Sequence, residues 1–84
     1  MNHPESVAGY SGSLAQLAGE LGDLRYDALA EFLREFSEKL RRDAEADQGR
    51  GRPRLAGHLS EASRALADAA THIQKAWDVS EPHM

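Results

Sequence analysis

Hydrophobic positions recur at steps of three and four in three separate stretches of the chain, the spacing of an apolar stripe on an α-helix. Leu14, Leu17 and Leu21 form the first and shortest stretch. Ser13 precedes it and Gln16 follows three residues later, the capping-box pattern in which each side chain satisfies the other's backbone N–H. This predicts a helix over 14–21, weakened at Gly19 and ended at Gly22, with Asp23 placed to cap the next one. A continuous helix bent at Gly22 is the alternative. The second stretch carries Leu29, Phe32, Leu33, Phe36 and Leu40 and contains no proline or glycine, predicting a helix over 24–47. Its polar side offers Glu35 to Lys39 and Glu38 to Arg42, acid-first pairs at i,i+4.

Residues 48–52, Gln-Gly-Arg-Gly-Arg, break that helix, and Pro53 suits the first position of another because its missing N–H needs no partner there. Leu55, Leu59, Ala62, Leu66, Ala69, Ile73 and Ala76 then follow as a heptad seam, predicting a helix over 53–79 that ends at Ser80 and Pro82. Two long helices joined by a tight connection make an antiparallel hairpin with coiled-coil packing. With the turn near Arg50 and Gly51, facing residue numbers add to roughly 101. Phe36 then faces Leu66, Leu29 faces Ile73, and Trp77 falls opposite Leu24 and Tyr26. Phenylalanines lie on the second helix and alanines on the third, so large faces small.

The arc spanned by Leu29, Phe32, Leu33, Phe36 and Leu40 is wider than a two-helix seam requires. The short first helix is expected to cover part of it. A second copy is expected to cover the rest, giving a homodimeric four-helix bundle with these five residues as its self-association face. The fold class is all-α: residues 1–12, with Pro4, Gly9 and Gly12, read as a flexible tail, and 13–84 as a single helical domain.

Composition narrows the setting. An 84-residue chain has room for one small domain, and an isolated core of that size is marginal, which favours association. The chain has no cysteine, so disulfides and thiolate chemistry are excluded and a cytoplasmic location is the expectation. No apolar run approaches the length of a membrane span.

Candidate chemistry is sparse. Arg50-Gly51-Arg52-Pro53 resembles the core of the AT-hook family, and Arg54 extends its basic run. The resemblance implies minor-groove binding at A·T-rich DNA through Arg50 and Arg52, but Glu45 and Asp47 stand where further basic residues occur in hooks. Residues 1–48 carry five basic and ten acidic side chains, and the whole chain has net charge −4, which repels a phosphate backbone. Nucleic acid is therefore not the expected partner.

His58 with Glu61 and Asp68 with His72 share helix faces, yet the histidines stand about 21 Å apart along the axis and cannot share an ion within a chain. Gly9 to Ser13 lacks the fifth-position glycine and the preceding strand of a nucleophile elbow. Glu31 and Glu35 lack a cleft in which to do acid–base work. No catalytic, metal or cofactor site is expected. Trp77 is expected to pack at the open end of the hairpin, or else to join Val79 and Met84 as an anchor for an unidentified protein partner. The sequence thus points to a non-enzymatic interaction or regulatory module acting through self-association. A DNA-associated protein using Arg50, Arg52 and Arg54 is the alternative, and a metal- or ligand-binding bundle comes third.

Overall fold

A computed structural model describes residues 3–83. Ser13 accepts from the Gln16 N–H at 3.1 Å while the Gln16 side chain accepts from the Ser13 N–H at 2.6 Å, and this reciprocal cap starts α1, Leu14–Gly22. The helix ends at Gly22, so no continuous bent helix forms. Asp23 closes α1 instead of capping its successor: its N–H donates to the Gly19 carbonyl. The next helix, α2 (Tyr26–Gly49), starts two residues later than the periodicity suggests, because Leu24 and Arg25 are used to turn the corner. Arg25 is its N-cap residue without a side-chain cap, and Asp27 accepts from the Ala28 N–H at 2.9 Å in the first turn. The final helix, α3, runs Pro53–Ser80, one residue past the expected 79, and continues into a 3-10 turn at Glu81–His83.

The α2–α3 connection is a Schellman motif. Gly51 takes φ +75°, its N–H donates to the Gln48 carbonyl at 3.1 Å, and the Arg52 N–H donates to the Asp47 carbonyl at 2.9 Å. Pro53 then opens α3 at its first position.

The hairpin is shown as expected, but its seam is not the leucine and phenylalanine stripe. The buried residues of α2 are Ala30, Ser37, Ala44 and Asp47; those of α3 are Ala56, Ser63 and Ala70. Both helices thus carry an Ala-Ser-Ala series spaced by seven, and small side chains let the backbones approach closely. At the midpoint the Ser37 hydroxyl donates to the Ser63 carbonyl at 2.7 Å and the Ser63 hydroxyl donates to the Ser37 carbonyl at 2.8 Å. Their oxygens lie 3.1 Å apart. Facing numbers therefore add to 100, one less than the sequence register, which puts Ala30 level with Ala70 and Ala44 level with Ala56.

The two serines are 26 residues apart, and the same shift carries Leu29 onto Leu55, Leu33 onto Leu59 and Leu40 onto Leu66. The two helices are consequently related by an approximate two-fold axis perpendicular to the plane of the hairpin. The described residues form a slab of 50 × 29 × 14 Å, one helix layer thick. The expected cover from the first helix is absent: α1 has no buried residue and makes no packed interface with α2 or α3. Its Leu14 is exposed, and its Leu17 and Leu21 are only half-buried.

Surface ion pairs also differ from the acid-first expectation. Lys39 meets Asp43 at 2.6 Å rather than Glu35, and Glu38 binds Arg41, which also reaches Glu45, rather than Arg42. A base-first pair or an i,i+3 pair is sterically as accessible on a helix as the acid-first i,i+4 arrangement.

A one-sided apolar face

Each helix places its large apolar residues on the same side of the small-residue seam. At about 100° per residue, Leu33 and Leu40 stand about 60° round α2 from the Ala30–Ser37–Ala44 line, Leu29 and Phe36 about 100°, and Phe32 about 160°. On α3 the equivalent positions hold Leu59, Leu66 and Ile73, then Leu55, Ala62, Ala69 and Ala76. The approximate two-fold preserves the sides of the slab, so both sets share one face. Leu40, Leu55 and Leu59 line one depression, whereas Arg41, Glu45, Gln48 and Ser60 line another on the opposite face.

That face is left open. Phe32 is 38% exposed, Phe36 42% and Leu55 44%, while Leu29, Leu33, Leu40, Leu59, Leu66 and Ile73 are half-buried. The Phe32 and Phe36 rings touch at 5.9 Å between centroids, tilted by 55°, forming a ridge along α2. Among the described residues no large side chain is fully buried. The chain exposes 6476 Å², whereas a compact monomer of 9.2 kDa exposes about 4,900 Å². Hence the five residues expected at a self-association face do lie together on one surface, although the sequence reading also placed Leu29 and Phe36 opposite α3 residues within the hairpin. Sequence reasoning missed the seam itself, whose signal was the two Ala-Ser-Ala series.

The remaining candidate residues sit elsewhere. Arg50, Arg52 and Arg54 are exposed at the turn, with Asp47 3.5 Å from Arg50 and 3.7 Å from Arg52. Every residue of Arg-Gly-Arg-Pro has a local structural role: charge pairing with the buried Asp47, the positive φ of Gly51, and the helix start at Pro53. At the open end Trp77 is half-buried, and the group stacked on it is the Arg25 guanidinium, 5.1 Å from the ring centroid. Leu24 and Tyr26, the expected partners, are 38% and 42% exposed. Arg25 reaches this position because it precedes α2 and is held by Asp27 through two 2.7 Å hydrogen bonds. The same contact keeps the Asp27 carboxyl below its ordinary pKa and raises that of Arg25. Val79 is 73% exposed, and Met84 lies outside the described residues.

Before α1, the Tyr10 hydroxyl donates to the Glu20 carboxylate, which raises the pKa of the phenol. Glu61 is engaged by Arg64, and among the described residues no group of three or more histidines and carboxylates is arranged to hold a metal. Among them, too, no helix is long and apolar enough to cross a membrane. No match to this chain is found among protein-family models, curated proteins or solved structures.

Proposed function

We propose that this chain is a non-enzymatic, cytoplasmic interaction module that works by self-association through the open face of the α2–α3 hairpin. The observation that carries the reading is the division of residues between the two faces of one helix pair. Small residues hold the hairpin together, while the large apolar residues stand together on one side, partly exposed. Two helices about 36 Å long and about 10 Å wide present a face near 700 Å², close to the roughly 800 Å² per partner of specific complexes. Covering it would recover about half of the excess exposed area of roughly 1,600 Å² over a compact monomer. The missing cysteine supports a reducing compartment.

Sedimentation equilibrium at micromolar to submillimolar concentration tests the proposal. The chain is expected at twice its 9.2 kDa mass, and Phe32→Glu with Phe36→Glu is expected to give a helical monomer because neither ring lies in the Ala-Ser-Ala seam. A wild-type species at 9.2 kDa throughout, or a double variant that stays dimeric, overturns it.

A further inference from the structure

We infer that the second copy stacks with its loop at the same end, so that α2 of one chain lies over α3 of the other; this rests on the self-association proposed above. The relief of the face selects the arrangement. Beside the seam both halves carry large residues, Leu33 and Leu40 on α2 and Leu59, Leu66 and Ile73 on α3, but farther out α2 is raised by Phe32 and Phe36 where α3 is lowered by Ala62, Ala65 and Ala69. The register set by Ser37 opposite Ser63 puts Ala62, Ala65 and Ala69 level with α2 residues 38, 35 and 31, the height of the phenylalanine ridge.

Two symmetric ways of stacking the faces exist. Rotation about the long axis of the hairpin keeps the loops together and sets α2 over the second copy's α3 without an axial shift. Phe32 and Phe36 then descend onto the second copy's Ala62, Ala65 and Ala69, large into small, twice by symmetry. Rotation about the short axis puts the loops at opposite ends and stacks α2 on α2 and α3 on α3. With the hairpins overlapping fully about the Ser37 level, Phe32 would come level with the second copy's Arg42, beside its Lys39–Asp43 pair, and the alanines of the two α3 helices would face each other across a gap.

Charge agrees with the first arrangement. There Lys39 comes level with the second copy's Glu61, and Asp43 falls one residue from the level of its His58, by the same register. Same-end stacking also gathers Arg50, Arg52 and Arg54 from both chains at one tip. The buried Asp47 beside Arg50 and Arg52 in each loop reduces the repulsion there.

The chain has no cysteine, so Arg50→Cys and, separately, Asp78→Cys each carry a single nitroxide label on an exposed site at opposite ends of the hairpin. Sedimentation is run on the same samples as pulsed dipolar spectroscopy. Same-end stacking predicts label separations within about 30 Å at both sites, since only helix-to-helix spacings separate them, whereas opposite-end stacking predicts about 40 Å or more at both. Long separations in a dimeric sample overturn the inference and leave self-association standing. A monomeric sample without dipolar modulation overturns self-association itself. A packing variant gives opposite signs: Ala62→Leu weakens a same-end dimer about tenfold by overpacking under Phe36, but tightens an opposite-end dimer by filling the alanine gap.

Discussion

Replacing Ala30 by leucine tests whether the hairpin is held by its small residues. Ala30 is 0% exposed on the seam and level with Ala70, so three added carbons have no space unless the helices separate. Overpacking of this kind costs about 1–3 kcal/mol. Separation also weakens the reciprocal Ser37–Ser63 bonds two turns away, each contributing about 0.5–1.5 kcal/mol. The combined loss is about 2–6 kcal/mol, a large share of the roughly 4–12 kcal/mol expected for a chain of 84 residues. Urea unfolding followed by far-ultraviolet circular dichroism measures it, at one fixed protein concentration because the proposed association would contribute to apparent stability. Ala28→Leu, on an exposed position of the same helix, serves as the control and is expected to change little. If Ala30→Leu were as stable as the wild type, or more so, the close-packed seam would be refuted.

Three further outcomes follow from local geometry. Gly51→Ala is expected to lose about 1–2 kcal/mol in the same urea experiment, because φ +75° is strained for an alanine although nothing lies near its added carbon; Gly51→Asn should lose less. Arg25→Ala should shift Trp77 emission to the red and make it more readily quenched, and a carboxyl titration by nuclear magnetic resonance should find Asp27 returned upward to the ordinary range. In the wild type the Arg25–Asp27 contact stabilises the fold above the unfolded-state pKa of Asp27, and that contribution fades as pH falls through the lower folded value. Tyr10 has the opposite sign: its raised pKa gives a contribution present below the unfolded value and lost as pH rises through the folded one. Ultraviolet titration should show its midpoint drop in Glu20→Gln.

The hairpin was legible because its punctuation was strong. Gly51 and Pro53 mark a turn for separate stereochemical reasons, and the Ser13–Gln16 box marks a helix start through two hydrogen bonds that the structure contains. The seam was harder to read because hydrophobic periodicity weights leucine and phenylalanine, whereas closest approach is set by what can be small. Ala30, Ser37 and Ala44 form a weak line by hydropathy, with serine counted as polar, yet they are the buried line. The sequence register was therefore one unit off while its contact residues came from the neighbouring stripe. The excess width of the stripe was nevertheless informative, since Phe32 and Phe36 are the residues left open. The partner of Trp77 was hidden for a different reason: Arg25 occupies a corner, and corner geometry is set by backbone angles that periodicity does not encode.

Small residues join α2 to α3 within a chain, and the large apolar face is proposed to join two chains. Isotope-filtered nuclear Overhauser spectroscopy on an equal mixture of labelled and unlabelled protein tests it directly. Contacts between chains are predicted from the Phe32 and Phe36 rings to alanine methyls of the second copy, with Ala30, Ser37 and Ser63 showing contacts only within a chain. Phenylalanine rings with purely intrachain contacts, or seam residues with contacts between chains, would contradict it.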